Sequence, residues 1–126
     1  MKKEQVEKIA LRVLDWCVKT YGASKYYREG VTIETQYKSD TSKKTYGEFD
    51  RDDIVIYVYT RTNRTVRCLV NTVLHEYTHY RQPPQWVERY LKQYGGGKRN
   101  PYERQAEMIA NIDTIRCMKD LKLGEH

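Results

Sequence analysis

The apolar residues of the first twenty positions recur at the spacing of an α-helix. They are Val6, Ile9, Ala10, Val13, Leu14 and Cys17. Steps of three and four residues place them on one face, so the spacing predicts an amphipathic helix over residues 3–20. Glu4, Glu7 and Asp15 interrupt this segment, which excludes the apolar core of a signal peptide.

The pattern then changes from helical spacing to alternation. Residues 31–38 alternate β-prone with polar side chains, which predicts a half-buried strand. Residues 39–44 are predicted as a polar turn, residues 45–49 as a short second strand, and residues 51–53 as another turn. The run Ile-Val-Ile-Tyr-Val-Tyr at residues 54–59 is the most β-prone in the chain. Together these segments predict a three-stranded, largely antiparallel sheet between helices.

Helical spacing returns in the second half of the chain. Apolar residues at 66–80 share one face, and Pro83 with the proline after it prevents continuation of that helix. Residues 85–94 predict a short helix. Asn100 is typical of an N-cap and the next residue is a first-turn proline, so a last helix is predicted up to about Leu121. The fold class predicted is α+β.

Length and composition fit a single domain over residues 1–126. The hydrophobic content of 39% and charged content of 32% are typical of a soluble globular protein. No apolar run approaches the roughly eighteen residues of a membrane span. Cys17, Cys68 and Cys117 form no CxxC pair, which favours buried free thiols and a reducing compartment. We therefore expect a cytoplasmic monomer without a membrane partner.

The helix at residues 66–80 carries the segment His75-Glu76-Tyr77-Thr78-His79. At about 100° per residue, the two histidines project about 40° apart and almost opposite to the apolar face. Both imidazoles can therefore reach one metal ion while the helix buries its other side. Glu76 lies on a flank, where its carboxylate can act on a zinc-activated water. This HExxH pattern predicts a Zn²⁺ site with His75 and His79 as ligands and Glu76 as general base.

A zinc peptidase site needs a third protein ligand. The remaining histidine, His126, is the terminal residue, so we do not expect a three-histidine site. Cys68 lies about two turns before His75, about 10 Å away along the helix axis, and its thiolate is a poor candidate. A carboxylate from another helix is therefore predicted.

Glu103 and Glu107 are the two candidate carboxylates, at i and i+4 on the last helix. Ala106 and Ala110 are small enough to let this helix approach the histidine helix closely. Glu103 also matches a capping box with Asn100, in which case Glu107 would be the ligand. In the other assignment Glu103 binds the metal, and Glu107 hydrogen-bonds a ligand imidazole.

The sequence His75-Glu76-x-x-His79 followed by Glu103-x-x-Ala106-Glu107 resembles the gluzincin zinc metallopeptidases. It is most similar to the single-domain minigluzincins and to small ImmA/IrrE-type peptidases. The resemblance implies a zincin-like fold with a C-terminal helix that carries the glutamate ligand. It favours Glu103 as the third ligand and a supporting role for Glu107. It also implies a zinc-dependent endopeptidase that hydrolyses peptide bonds with Glu76 as general base.

The resembled family usually supplies a tyrosine or histidine that donates a hydrogen bond to the oxyanion of the tetrahedral intermediate. Tyr80, Tyr94 and Tyr102 are the candidates, and each can equally be a packing residue. An extended peptide substrate is expected to pair with an exposed sheet edge, either the strand at 54–59 or the short strand before it.

Two other functions are compatible with the chain. One is a regulatory or binding module that keeps the zincin fold but cleaves one partner or none. The other is a basic nucleic-acid-binding protein of a mobile element, because the net charge is +6 and Arg61, Arg64 and Arg67 form a local cluster. A solvated basic turn explains that cluster equally well, and nucleic acid is the less expected partner.

Overall fold

The computed structural model describes residues 1–37, 45–97 and 100–124, and in these ranges the chain forms four helices and a three-stranded sheet. The elements are α1 (Lys3–Tyr21), β1 (Thr32–Gln36), β2 (Gly47–Asp50), β3 (Val55–Tyr59), α2 (Val66–Arg81), α3 (Pro84–Tyr94) and α4 (Pro101–Asp120). Each element begins and ends within two residues of its prediction, and the α+β class is confirmed. The turn predicted at 39–44 and the terminal His126 lie outside the described residues.

The sheet is mixed rather than largely antiparallel. β3 is its central strand, pairs in parallel with β1 and pairs in antiparallel fashion with β2. Alternation along a strand determines which side chains face the core, but it carries no information about strand direction or neighbours. β2 is consequently an edge strand, and the strand predicted from residue 54 begins at Val55 because Ile54 has a left-handed φ of 56°.

α1 and α2 pack against the sheet, in which Ile56 and Val58 of β3 are fully buried. α2 packs against β2, β3 and α1 and contributes its apolar face to the core. The buried apolar residues of this face include Leu69, Val70, Val73, Leu74 and Tyr77. Burial of each such side chain stabilises the fold by about 1.5–3 kcal/mol. The core therefore holds α2 in place and leaves its opposite face for the histidines.

α4 lies along α2, and its small residues make the contact. Ala106 and Ala110 are fully buried, as expected for a close approach of the two helices. Further along, Asn71 Nδ2 donates to Asn111 Oδ1 at 3.1 Å and to Thr114 Oγ1 at 3.2 Å. These contacts determine which residues of α4 face the histidines.

The cysteines are free within the structure. The expectation of buried free thiols holds for Cys17 and Cys117, whereas the free thiol of Cys68 is half-buried. Among the helices of the described ranges, none has the length and apolarity required to cross a bilayer.

Candidate metal centre and its cleft

His75 and His79 stand side by side on α2, and both line a depression that Gly47 and Phe49 of β2 also line. Their ring centroids are 4.9 Å apart, with the ring planes at 71°. Both side chains are partly buried, with 22% and 12% of their surface exposed. The two imidazoles therefore lie in a wall of the protein rather than extending into bulk solvent.

Glu103 of α4 completes a group of three potential ligands. Its Oε2 lies 3.4 Å from His75 Nε2 and its Oε1 lies 2.7 Å from His79 Nε2. Ligand atoms at about 2.0–2.1 Å from a tetrahedral zinc ion are about 3.3–3.4 Å apart, so a small shift of the carboxylate suffices. In the described part of the chain this is the group of histidine, cysteine and acidic residues that could hold a metal ion. Two imidazoles and one carboxylate fit the donor preferences of zinc.

The charges of the group are complementary. Burial raises the pKa of Glu103, but hydrogen bonds from His75 and His79 and the charges of both rings outweigh it and lower that pKa to about 2. Burial lowers the pKa of His79, and the bond to Glu103 with the charges of Glu76 and Glu103 raises it overall. The carboxylates of Glu76 and Glu103 therefore favour a positive charge between them.

Glu107 is not part of this group. It is exposed and lines a separate surface depression together with Trp86 and Met108. The capping-box alternative for Glu103 is not observed either. Asn100 Oδ1 accepts from the amide of Tyr102, while the Glu103 carboxylate turns to the histidines.

Gln82, the residue directly after α2, makes the hydrogen bond to a ligand imidazole that the sequence analysis considered for Glu107. Its Oε1 lies 2.7 Å from His79 Nδ1. Its Nε2 donates to the carbonyl of Tyr102 at 2.9 Å and to Gln105 Oε1 at 2.8 Å, which determines the orientation of the amide. Nδ1 must then carry the proton that Oε1 accepts. In the structure Nε2 also carries a proton, which it donates to Glu103. With a metal ion bound, Nδ1 would keep its proton and Nε2 would present its lone pair to the ion.

Glu76 lies beside the group with only 8% of its surface exposed. Burial raises the pKa of Glu76, and the charges of Glu103 and Glu48 add to that effect, whereas His75 and His79 oppose it. A carboxylate with a raised pKa binds a proton more readily at neutral pH, which suits a general base. Its placement on the flank of α2 agrees with the prediction.

Two depressions flank the group, one on each side. One has a volume of about 340 Å³, and its outer wall is formed by Phe49, Arg51, Val87 and Tyr102. The other has a volume of about 280 Å³, and its outer wall is formed by Tyr46, Cys68, Asn71 and Thr72. Both depressions also share the lining residues Gly47, His75, Glu76 and Glu103. The candidate metal position therefore lies in the middle of a cleft that follows β2.

β2 approaches α2 closely because residue 47 is a glycine. A Cβ at Gly47 would lie 2.8 Å from Thr72 Cγ2, 2.8 Å from the carbonyl oxygen of Tyr57 and 3.4 Å from Glu76 Cγ. Fully buried Asn63 holds the two elements together. Its amide donates to the carbonyl of Tyr46 at 2.8 Å, and its Oδ1 accepts from Thr72 at 2.7 Å.

The three tyrosines considered as oxyanion donors occupy different environments. Tyr102 lines the cleft, with its ring centroid 5.4 Å from that of His79. Tyr80 is buried in the core, and its hydroxyl donates to the carbonyl of Glu29 at 3.2 Å. Tyr94 is exposed and stacks on Tyr90 at 5.8 Å. Only Tyr102 of these three lines the described cleft.

Compared with known protein families, curated proteins and solved structures, the chain gives no match. The resemblance to gluzincins therefore rests on the HExxH segment and the glutamate helix themselves. Support for a function comes from the geometry of the site.

Three residues of the site escaped sequence reasoning, namely Gly47, Arg51 and Gln82. Gln82 follows His79 by three residues, one helical turn, and that spacing could have identified it as a partner of the imidazole. Gly47 inside a predicted strand is a recognised sign of close backbone approach. No local sequence pattern identified Arg51 as a site residue. It was assigned to a turn, and its place in the cleft depends on the packing of α3 and α4.

Proposed function

We propose that this protein is a zinc-dependent endopeptidase. The observation that carries the proposal is the convergence of His75, His79 and Glu103 next to the buried carboxylate of Glu76. The three donors would hold the ion on one side and leave its other side towards the cleft. Bound zinc would acidify water and polarise a carbonyl group.

Glu76 and Tyr102 supply the proton chemistry in this proposal. Glu76 takes a proton from the attacking water and passes it to the nitrogen of the leaving amine. Its buried position raises its proton affinity without removing it from the cleft. The Tyr102 hydroxyl, on the wall of the same cleft, donates a hydrogen bond to the developing oxyanion.

The outer edge of β2 is the binding surface for the peptide backbone. β2 pairs with β3 on one side, so its other edge can pair with an extended peptide. The cleft continues on both sides of the candidate metal position. A peptide can therefore extend in both directions from the scissile bond, which favours cleavage inside a chain over removal of terminal residues.

The decisive experiment combines metal content with cleavage. Protein purified without chelators should contain about one zinc ion per chain, and peptides from a mixed protein digest should be cleaved, as followed by mass spectrometry. Glu76→Gln should retain zinc and lose hydrolysis, because it removes the base but none of the three ligands. Wild-type protein that contains no zinc would rule out the proposal, and zinc without any cleavage would favour a binding module.

A second pair of variants tests the ligand assignment. Glu103→Gln should reduce the zinc content strongly, because an amide cannot supply the negative charge of the ligand. Glu107→Gln is the matched control, one helical turn away on the same helix, and should retain zinc. Equal zinc loss in both variants would contradict the assignment of Glu103 as third ligand.

A further inference from the structure

Arg51 is the arginine in the wall of the cleft described above. It follows β2 directly, is half-buried, and lies with Val87 and Tyr102 around the larger depression. Its Nη1 donates to the carbonyl of Pro84 over 3.5 Å, a long hydrogen bond. A guanidinium has five N–H donors, and this bond uses one of them.

The positive charge of Arg51 acts within the cleft. Burial and the charge of Glu103 raise the pKa of Tyr102, whereas Arg51 lowers it. The neighbouring acid, Asp50, is held in the turn, where Oδ1 accepts from the amides of Asp52 at 2.9 Å and Asp53 at 3.2 Å. The guanidinium therefore contributes a positive charge to one end of the cleft.

The basic cluster recognised in the sequence does not contribute to this end. Among the described residues that line the two depressions, Arg61, Arg64 and Arg67 do not occur. Three carboxylates line the same depression as Arg51, namely Glu48, Glu76 and Glu103. Glu76 and Glu103 have the proposed roles in proton transfer and metal binding, and Glu48 lies on β2. Arg51 is the arginine in this lining, and it has no part in the proposed proton transfer or metal binding.

The position of Arg51 along the cleft limits which substrate residues its side chain can reach. Gly47 marks the point where β2 contacts the helix of Glu76, and Arg51 comes four residues later. At about 3.3 Å per residue this separation is at most about 13 Å along the strand. A side chain within about four residues of the scissile bond, on one side of it, can therefore reach the guanidinium.

We propose that Arg51 binds an acidic side chain of the substrate and makes the protein a peptidase that selects for Asp or Glu on one side of the cleaved bond. Arginine pairs with carboxylates through two parallel N–H···O bonds, which gives geometric selectivity over amides. The inference rests on the proposed peptidase function and adds the class of substrate.

The test uses internally quenched peptides derived from the best-cleaved peptide of the digest. Glu, Gln and Lys are placed in turn at each of four positions on either side of the scissile bond. At one position, on one side, Glu should give a kcat/KM about tenfold above Gln, and Lys should be the poorest residue. Raising the ionic strength to about 1 M, where the Debye length is about 3 Å, should reduce this preference.

Variants at Arg51 assign the preference to this side chain. Arg51→Glu should reverse it in favour of Lys at the same position, and Arg51→Gln should abolish it. Lys8→Glu, on the exposed surface of α1, makes the same change in net charge and should leave the preference unchanged. Zinc content and thermal unfolding of each variant establish that the fold and the metal centre are retained.

The outcomes separate this inference from the proposed function. Cleavage that is equally fast for Glu, Gln and Lys at every position would overturn the inference and leave the peptidase intact. A preference for acidic residues that persists in both Arg51 variants would do the same. Absence of cleavage for every peptide would contradict the proposed function itself, and the inference with it.

Discussion

At the scale of single residues, the imidazole of His79 is held from both sides. Gln82 Oε1 accepts from Nδ1, and Glu103 faces Nε2 at 2.7 Å. Gln82 is itself oriented by two acceptors, so the imidazole ring has one orientation. Such support places a metal ligand before the ion binds, which reduces the entropy lost on binding.

Replacement of Gln82 tests this support. Gln82→Ala should weaken zinc binding by about 10–100-fold, because His79 loses the acceptor for Nδ1–H while all three ligands remain. Competition with a chromophoric chelator measures the affinity. Gln93→Ala, on exposed α3 surface, is the control. Equal zinc affinity in the two variants would show that Gln82 has only a structural role.

Replacement of Tyr102 tests the oxyanion donor. Tyr102→Phe removes the hydroxyl and keeps the ring against His79, so kcat should fall by about 10²-fold with little change in KM. Tyr94→Phe makes the same chemical change on an exposed residue outside the cleft and should be neutral. A kcat for Tyr102→Phe within about twofold of wild type would exclude the hydroxyl from transition-state stabilisation.

At the scale of elements, the distance between β2 and α2 determines the cleft. Gly47 removes the side chain that would separate them, and Asn63 connects the strand to Thr72 through a fully buried amide. A buried amide that satisfies acceptors and donors on three segments is costly to replace, which gives it structural specificity. The edge strand is therefore set at a defined distance from Glu76.

Gly47→Ala is expected to disturb this distance. The new Cβ would meet the backbone oxygen of Tyr57 and the Thr72 methyl group at 2.8 Å, so the strand must shift. We expect a loss of about 1–3 kcal/mol in the free energy of unfolding and a larger loss of peptidase activity, with zinc retained. Urea unfolding, zinc content and cleavage rate measure the three effects.

Gly30→Ala is the matched control for that variant. A Cβ at Gly30 meets no atom within 4 Å, and its φ lies outside the left-handed region. The stability and activity of Gly30→Ala should therefore equal those of the wild type or exceed them slightly. If the two alanine variants behave alike, the close approach of β2 has no functional importance.

At the scale of the whole molecule, the candidate metal centre joins two segments that are far apart in the chain. The histidines come from α2 and the carboxylate from α4, whose other end is tied to α1. There Trp16 Nε1 donates to Asp120 Oδ2 at 2.8 Å. Because the ligands meet only in the folded chain, binding of a metal ion stabilises the fold.

Removal of the metal should therefore lower the melting temperature. Zinc at about 1,000 times its Kd contributes about 4 kcal/mol, which corresponds to a shift of about 10 °C or more for a domain of this size. Scanning calorimetry with zinc and with a chelator measures the difference in melting temperature. For Glu103→Gln this difference should be small. Identical melting temperatures for the wild type under both conditions would contradict a zinc site shared by α2 and α4.

Local sequence patterns predicted the helices and strands well, because the spacing of apolar residues and the β-propensity of a segment depend only on neighbouring residues. The helical period of α2, the alternation along β1 and the β-prone run of β3 are local properties, as is the cap at Asn100. The pattern could not reveal that β1 is parallel to β3, since strand direction depends on the path of the chain between strands. Nor could spacing alone separate Glu103 from Glu107, because residues one turn apart project similarly until a neighbouring helix selects one face.

The sequence by itself determined the chemistry of the centre, a pair of histidines with an adjacent glutamate, because i and i+4 residues share a helix face wherever the helix lies. Tertiary structure decided the rest. The packing of Ala106 and Ala110 on α2 selected Glu103 as the third donor, and Gly47 brought an edge strand against Glu76. The turn after β2 placed Arg51 in the cleft wall. These contacts join residues distant in the chain, so they follow from packing rather than from local spacing.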